Sequence, residues 1–329
     1  MTERILVVED AETAALLERV LRAAGYEHVV TRQTSELDPG GFDLVVLDPQ
    51  LDGFALLERV APTGVPVLAL TADDGPQTKR RALGLGARDF VVKPLDNVEV
   101  LLRVGNLLQT RRLQRSLGEQ VRARTGDLEI ARRETLERLA LAAEYRDEDT
   151  ADHTRRVGRT AALLARCLDL AAETVEHLRY AAPLHDVGKI GLPEQVWLKP
   201  EALTDAERVV LQQHTVIGAR ILGGSRSPVL RLAEQIAETH HERWDGAGYP
   251  HGLAADAIPL AGRITAVADV FDVLAHPRPH KRAWPLEQAV EEIRVQAGRH
   301  FDPQVVRAFD RLDHAALLAD PGPGLPLAA

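Results

Sequence analysis

The sequence has few of the features that mark secreted, membrane or nucleic-acid-binding proteins. Its single cysteine, Cys167, excludes a disulfide within the chain and fits a reducing compartment. No apolar run approaches the roughly 20 residues that a membrane-spanning helix needs, and no signal peptide precedes the first strand-like run. The net charge of −9 argues against a broad basic face for nucleic acid. We therefore expect a cytoplasmic protein that binds neither membranes nor DNA directly.

Aromatic residues are also scarce, at 4% of the chain, although 45% of it is hydrophobic. The cores must therefore be built mainly from aliphatic side chains. At 329 residues the chain is long enough for two ordinary domains. Because the chain is acidic overall, an anionic ligand would need a local positive site, such as metal ions with a few Lys and Arg residues.

The first hundred residues alternate between short apolar runs and helical or turn segments. The runs cover residues 4–8, 27–30, 43–47, 65–70 and 89–92. Five βα units of this length predict an α/β domain with a doubly wound parallel sheet. In such a fold, ligands bind beyond the carboxyl ends of the strands.

Those predicted strand ends carry polar residues of a particular kind. Glu9 and Asp10 follow the first strand, Asp48 the third, Thr71 the fourth and Lys93 the fifth. Three carboxylates in one crevice suit Mg²⁺, and a lysine with a hydroxyl group suits a phosphoryl group. Each acid or Thr could instead cap a following helix, but that reading does not explain the whole set.

Residues 1–110 resemble a response-regulator receiver domain. The resemblance implies that a histidine kinase phosphorylates Asp48. It further implies Mg²⁺ ligands and switch residues at Glu9, Asp10, Asp48, Thr71, Phe90 and Lys93.

The loop after Asp48 departs from that family. The usual loop is longer and carries a Met-Pro pair, whereas here only Pro49-Gln50-Leu51 separates Asp48 from Asp52-Gly53. Proline stiffens what remains of the loop. We expect an intact phosphoacceptor beside a reshaped pocket.

Residues 98–143 contain no proline and have a strongly helical composition. Leu117, Val121, Leu128 and Leu139 fall near three-four spacing, although other seam positions are polar. We interpret residues 111–140 as a coiled-coil-like helical linker that pairs in a parallel homodimer. A solvated single helix is the alternative.

The motif His185-Asp186-Val187-Gly188-Lys189 lies near the middle of the chain. Consecutive His and Asp can place nitrogen and oxygen ligands on one metal or across two. On a helix, Lys189 would share a face with His185, so a phosphate held by the metal would meet an ammonium group. The alternative is a helix that simply ends at Gly188.

From residue 144 onward the pattern is all-α, and further potential ligands are spread over separate helical segments. A lone histidine is more often a satisfied core residue, but a distributed set of His and Asp is what a metal site in a helical bundle needs. Nitrogen and oxygen ligands without thiolate suit Fe or Mn in a cluster of two or three ions. The candidates are Asp149, His153, His185, Asp186, His214 (in a helical run at 207–222), His240, His241 and Asp269.

Two loops and one helical position add candidates for substrate contact. The glycine- and proline-rich stretch 242–250 predicts a tight turn that carries Tyr249, which could position a base or a ribose. Arg278 and Lys281 lie on a proline-containing loop suited to phosphate. Asp272 lies one helical turn beyond Asp269 and would face the same cavity.

With these motifs, residues 141–312 resemble the HD-GYP family, and the whole chain resembles an HD-GYP response regulator. The motifs that match are 185–189, the run 240–246, Gly248-Tyr249-Pro250 and the closing Phe301-Asp302-Pro303. The resemblance implies a metal-dependent phosphodiesterase that hydrolyses cyclic di-GMP, with linear pGpG or GMP as the final product. It implies that Asp186 bridges two metal ions as a catalytic residue beside Lys189. It also implies substrate contacts by Lys189, Tyr249, Asp272, Arg278 and Lys281.

Three departures from the family lie near the site. Asp149 stands where some members have a longer glutamate, which bears on a third metal. The family's Arg-Pro-Tyr-Lys is Arg-Pro-His-Lys here, with His280, and Ala275-His276-Pro277 replaces a more hydroxyl-rich turn. The changes at 275–280 affect the phosphate loop, and none of the three removes a predicted ligand.

Other readings explain less of the sequence. A cyclic di-GMP-binding or protein-docking module without turnover would be favoured by missing ligands. A nucleotide phosphohydrolase of the wider His-Asp superfamily explains His185-Asp186 but not the loop at 248–250. A DNA-binding output finds no basic recognition helix in this acidic chain. Residues 313–329, with three prolines, predict a frayed tail.

Overall fold

The computed structural model describes residues 2–33, 41–72, 75–144, 152–197, 199, 202–277 and 282–318. The chain divides into two compact units, Met1–Asp127 and Leu128–Ala329.

The first unit contains a five-stranded, fully parallel sheet in the order β2-β1-β3-β4-β5. The strands are β1 Arg4–Val8, β2 His28–Arg32, β3 Leu44–Leu47, β4 Val67–Thr71 and β5 Asp89–Val92. The predicted doubly wound sheet is therefore confirmed, with two strands placed as predicted and the other three shifted by one or two residues. This strand order brings the carboxyl ends of β1 and β3 side by side, where the topology opens a crevice.

Side chains alternate between the two faces of each strand, and this alternation builds a separate aliphatic core on each face of the sheet. Ile5 and Val7 lie in one core, with α1 (Ala11–Ala23) and the start of α4 (Asn97–Glu144). Leu6 and Val8 lie in the other core, with α2 (Phe54–Val60) and α3 (Pro76–Gly84). The three central strands β1, β3 and β4 are almost entirely buried, as expected of a parallel sheet covered by helices, whereas the edge strands β2 and β5 are only partly buried.

The helix α4 is 48 residues long and crosses the boundary between the two units. The segment 98–143, whose composition is strongly helical, therefore lies within one continuous helix. Leu117, Val121 and Leu128 are exposed, with relative areas of 64%, 56% and 71%. Leu139 differs from the predicted seam because it packs, partly buried, against the core of the second unit.

The second unit is helical over its described residues. Its helices after α4 are α5 Asp152–Cys167, α6 Ala172–Ala181, α7 Glu194–Trp197, α8 Asp205–Gln212, α9 His214–Leu222, α10 Pro228–Thr239, α11 Leu260–Ala275, α12 Leu286–Val295, α13 Pro303–Phe309 and α14 His314–Leu318. One aliphatic cluster with the buried rings of Phe271, Phe301 and Phe309 forms the core.

Two predictions of local structure were wrong. The run predicted as helical over 207–222 is divided into two helices: α8 begins after a capping box formed by Thr204 and Glu207 and ends at Gln212, and α9 begins at His214. The tail predicted from residue 313 is helical over His314–Leu318, where Leu317 is buried. Residues 319–329 lie outside the described residues.

No helix within the described part of the chain combines the length and hydropathy needed to cross a membrane.

Candidate functional sites

Seven of the predicted ligands in the second unit form two adjacent groups, in each of which the potential ligand atoms lie within 4.8 Å of one another. We call His153, His185 and Asp269 the His153 group, and Asp186, His214, His240 and His241 the His214 group. Because His185 and Asp186 are consecutive, the predicted motif joins the two groups. The ligands come from α5, α9, the end of α10, α11 and the turn before residues 187–191.

Main-chain carbonyl groups fix the orientation of three of these histidines. The Nδ1 atom lies 2.9 Å from Ala182 O in His185, 2.7 Å from Leu211 O in His214 and 3.0 Å from Ile236 O in His240. A carbonyl oxygen can only accept, so Nδ1 carries the proton and Nε2 presents its lone pair. The break between α8 and α9 supplies one of these contacts, because Leu211, whose carbonyl group meets His214, lies in the last turn of α8.

The buried polar atoms that remain fit a metal centre. The Nε2 atoms of His185, His214 and His240 and Oδ1 of Asp186 are buried and form no hydrogen bond within the described part of the chain. An unpaired buried polar atom is costly, so such a concentration of lone pairs calls for a cation. The donor set of imidazole and carboxylate without thiolate suits Fe, Mn or similar ions.

Asp186 faces both groups through different oxygens. Its Oδ1 lies 3.3 Å from His214 Nε2 and 3.6 Å from His240 Nε2, and its Oδ2 lies 3.4 Å from His185 Nε2. Burial favours the neutral acid, but Lys189 and His185 hold the pKa of Asp186 well below its usual range. The carboxylate is therefore ionised, which is the form that binds a cation.

Burial also keeps two histidines of the His214 group neutral. It lowers the pKa of His214 to about 4 and that of His241 well below its usual range. Neutral imidazole is the form that binds metal.

His153 differs from the other histidines because carboxylates flank both of its ring nitrogens. Its Nε2 lies 3.4 Å from Asp269 Oδ1 and its Nδ1 lies 2.6 Å from Asp272 Oδ2. Although burial opposes it, these two acids raise the pKa of His153 to about 10, so a cation bound at this group would displace the proton from Nε2. Asp272, predicted to hold substrate, also accepts hydrogen bonds from Arg156 and so contacts residues of the protein through both of its oxygens.

Lys189 donates to Asp186 Oδ2 at 2.7 Å. This places its ammonium group beside the acid shared by both groups, on a 3₁₀ turn at Val187–Gly191. The turn packs closely on α9, since a Cβ at Gly188 would run into the carbonyl oxygen of His214. Glycine at this position is therefore needed to bring His185, Asp186 and Lys189 up to His214.

Tyr249 lies over the His214 group. Its ring stacks on His241 with centroids 4.7 Å apart, and its amide donates to His241 O at 3.2 Å. A Cβ at Gly248 would come within 2.6 Å of Glu242 Cα and His241 O. The Gly-Tyr pair thus lets the loop turn back onto the histidine that precedes it.

The buried carboxylate of Glu242 holds this loop from beneath. It accepts hydrogen bonds from the amides of His251, at 2.7 Å, and Leu253, at 3.0 Å. Sequence reasoning gave no role to Glu242, Arg156 or His276, whose Nδ1 lies 3.1 Å from Asp272 Oδ1. Their signal in the sequence was only adjacency to predicted ligands, which does not reveal these contacts.

Three predicted site residues, Asp149, Arg278 and Lys281, lie outside the described residues.

In the first unit, the predicted acids of β1 and β3 meet a lysine from the end of β5. Lys93 Nζ donates to Asp48 Oδ2 at 2.9 Å and to Glu9 Oε2 at 3.1 Å. Burial raises the pKa of Glu9, against the lowering effect of Lys93. Burial by itself would lower the pKa of Lys93, but its bonds to Asp48 and Glu9 raise it. Glu9 Oε1 is buried and forms no hydrogen bond among the described residues, which fits a cation ligand.

The other predicted receiver residues, Thr71, Phe90 and Asp10, differ in burial and in their contacts. Thr71 is buried at the end of β4, and Phe90 lies under the ammonium group of Lys79 at 5.0 Å. Asp10 is exposed and caps α1, with Oδ1 accepting from the amides of Glu12 and Thr13. The helix-cap alternative therefore describes the position of Asp10 in this structure.

The shortened loop after Asp48 forms a helical turn at Pro49–Gly53. Asp48 caps this turn, since its Oδ1 accepts from the amide of Gln50 at 2.8 Å. Oδ2 of the same carboxylate receives Lys93.

Comparison with known proteins agrees with this division of sites. A family model described as a response regulator receiver domain matches residues 5–105, and one described as an HD domain matches residues 138–305. The chain is 39% identical to a protein of Xanthomonas campestris named cyclic di-GMP phosphodiesterase response regulator RpfG, over 93% of this chain and 87% of that protein. It is 36% identical to a cyclic di-GMP phosphodiesterase of Thermotoga maritima, over 94% of this chain and 90% of that protein.

A further relative matches mainly the second unit. It is a Vibrio cholerae protein named 3'3'-cGAMP-specific phosphodiesterase 2, with 43% identity over 57% of this chain and 36% of that protein. A receiver match, an HD-domain match and relatives similar along nearly the whole chain agree with the resemblance read from the motifs. The chain belongs to the HD-GYP response regulators, which join a receiver domain to a metal-dependent HD domain.

Proposed function

We propose that the chain is a metal-dependent phosphodiesterase that hydrolyses cyclic di-GMP, with linear pGpG or GMP as the final product. The observation that carries this proposal is the pair of adjacent ligand groups joined by His185-Asp186, with three buried histidines presenting Nε2 to one space. The names of the relatives in Xanthomonas and Thermotoga support the choice of substrate.

The His153 group and the His214 group would hold two ions, Fe or Mn, with Asp186 shared between them. Such ions supply an activated water near neutral pH and neutralise the phosphate charge. Asp149 is proposed as the ligand of a third ion. Lys189, bonded to Asp186 at 2.7 Å, is placed to stabilise negative charge as it develops on the phosphoryl oxygens.

Tyr249 is proposed to contact a base or a ribose of the substrate. Its ring is partly exposed and stacks on His241, so one edge of the centre carries an aromatic surface. Arg278 and Lys281, which follow α11 in the sequence, are proposed to bind phosphate. The contacts of Asp272 with His153 and Arg156 support a different role for that residue from the predicted one in substrate binding.

In the receiver domain, we propose that a histidine kinase phosphorylates Asp48 and that Mg²⁺ binds at Glu9, Asp10 and Asp48. The carboxylates of Glu9 and Asp48, held by Lys93, support this proposal, and Thr71 and Phe90 would respond to the phosphoryl group. Incubation with a small-molecule phosphodonor should label the wild-type protein in a Mg²⁺-dependent manner and leave Asp48→Asn unlabelled. Labelling of the variant would refute the assignment of Asp48.

The exposed face of α4 is proposed to pair with a second copy of the chain. Leu113, Leu117, Val121 and Leu128 are more than half exposed at helical spacing, which is typical of an unpaired coiled-coil seam. A monomer in light scattering at micromolar concentration would refute this pairing.

The test of the activity is hydrolysis by protein purified anaerobically, with metal content measured on the same sample. We expect at least two Fe or Mn ions per chain and the formation of linear pGpG from cyclic di-GMP. A parallel assay with 3'3'-cGAMP addresses the second candidate substrate, which the Vibrio relative's name suggests. A fully metallated protein that binds but cleaves neither nucleotide would support a binding or docking module instead.

A further inference from the structure

The histidines of the metal centre are supported in two different ways. His185, His214 and His240 direct Nδ1 to main-chain carbonyl oxygens, which no side-chain substitution removes. His153 directs Nδ1 to the carboxylate of Asp272 at 2.6 Å. Among these four, the orientation of His153 alone depends on another side chain.

Asp272 is itself held by cationic and ring donors. Arg156 donates from Nε to Oδ1 at 2.6 Å and from Nη2 to Oδ2 at 3.0 Å. His276 approaches Oδ1 through Nδ1 at 3.1 Å. With a side chain only 5% exposed and both oxygens engaged, Asp272 has little free capacity to bind a substrate.

The placement of these residues follows from the packing of α5 on α11. His153 and Arg156 lie one turn apart on α5, while Asp269 and Asp272 lie one turn apart on α11. His153 therefore sits between the two acids, with Nε2 toward Asp269 and Nδ1 toward Asp272. A carboxylate that accepts from Nδ1 fixes the ring tautomer and makes Nε2 a stronger ligand.

We propose that Asp272, held by Arg156 and His276, is a positioning residue of the metal centre. It raises the affinity of the His153 group for its metal ion and leaves the affinity of the His214 group for the other ion unchanged. This inference rests on the metal-binding part of the proposed function. It assigns Asp272 to the support of a ligand and leaves phosphate binding to other residues.

The test compares Asp272→Asn with Asp302→Asn as a matched control. Asp302 is also buried and accepts hydrogen bonds from Arg263 at 2.7 Å and from the amide of Gln304 at 2.7 Å, and within the described part of the chain these contacts include no candidate ligand. Both variants are assayed in the full chain for metal content per chain and for loss of metal to increasing chelator. Thermal unfolding of the metal-free proteins monitors the fold.

We expect Asp272→Asn to weaken metal binding at the His153 group by about 10- to 100-fold, while the ion at the His214 group is released as in the wild type. An asparagine can turn its NH₂ group toward His153 Nδ1, which would move the ring proton to Nε2 and block ligation. Asp302→Asn should alter the unfolding temperature, but both ions should be lost to chelator as they are in the wild type. Arg156→Gln, which leaves Asp272 in place, should reduce the affinity for the same ion by a smaller factor.

If Asp272→Asn weakens the binding of both ions equally, or leaves the release of both unchanged, the proposal is overturned. If Asp272→Asn fails to fold, Arg156→Gln decides the question by the same criterion. Absence of bound metal from the wild-type protein would instead refute the proposed function, so the two failures are distinguishable.

Discussion

The receiver site and the metal centre both combine buried carboxylates with a lysine, but they hold these groups by different means. In the receiver, Lys93 bridges Glu9 and Asp48, which follow two neighbouring strands. In the metal centre, Lys189 binds Asp186, and three histidine rings are fixed by main-chain carbonyls. Side-chain ion pairs can rearrange when charge is added or removed, whereas a ring fixed by the main chain keeps its direction. The receiver is therefore suited to a reversible change of charge, and the HD domain to ions that stay bound.

The largest expected effect comes from removing the acid that both ligand groups share. Asp186→Ala should reduce turnover to background, because it removes the carboxylate that faces His214, His240 and His185 together. Metal analysis and chromatography of the nucleotide products measure both consequences. Mg²⁺-dependent phosphorylation of the receiver should be unchanged in this variant. Full metal content in Asp186→Ala would contradict the bridging role.

Removing the lysine of the metal centre should separate rate from metal binding. Lys189→Ala should retain the ions but lose about 10²- to 10³-fold in kcat, as expected for one donor that stabilises transition-state charge. Lys199→Ala is a matched control, since Lys199 makes the same type of ion pair, at 2.7 Å, with Glu207 at the start of α8. Loss of metal from Lys189→Ala would mean that the ammonium group mainly organises Asp186.

Many of the residues that form these two sites could be predicted from the sequence. Strand periodicity placed Glu9, Asp48 and Lys93 at one edge of a sheet, because parallel strands share the direction of their carboxyl ends. The motif at 185–189 and the spread of histidines over separate helices identified the members of both ligand groups.

The supporting contacts could not be predicted in the same way. The partner of a histidine Nδ1 depends on which helix packs against it, and Arg156 meets Asp272 across 116 residues of sequence. Helical spacing correctly placed Asp272 on the face of Asp269 but could not show that Arg156 and His153 occupy its oxygens. Similarly, the composition of 207–222 gave no sign that the helix is interrupted before His214.

A smaller effect is expected at the loop that carries Tyr249. Glu242→Gln replaces one of two acceptor oxygens by an NH₂ group, so the amide of either His251 or Leu253 loses its partner. An unsatisfied buried donor costs about 1–3 kcal/mol. We expect KM to rise about tenfold with unchanged metal content, as measured by steady-state kinetics and metal analysis.

Glu238→Gln provides the control for that variant. Glu238 contacts the same residue, His251, but through the side-chain Nε2 at 2.9 Å and at a partly exposed position. Its replacement should leave KM within about twofold of the wild type, since exposed ion pairs contribute little. A drop in metal content in Glu242→Gln would show that the acid supports His241 and not the loop.

The smallest effect is expected at His276, which provides the third set of contacts to Asp272. In His276→Ser the shorter side chain no longer reaches Oδ1, but Arg156 and His153 still bind both carboxylate oxygens. One hydrogen bond contributes about 1 kcal/mol, so the affinity of the His153 group for its ion should fall by at most about fivefold. Chelator competition in the full chain measures this, beside Arg156→Gln, which should lose more because the guanidinium contacts both oxygens. A loss in His276→Ser as large as that in Asp272→Asn would mean that the imidazole, and not the guanidinium, is the main support of Asp272.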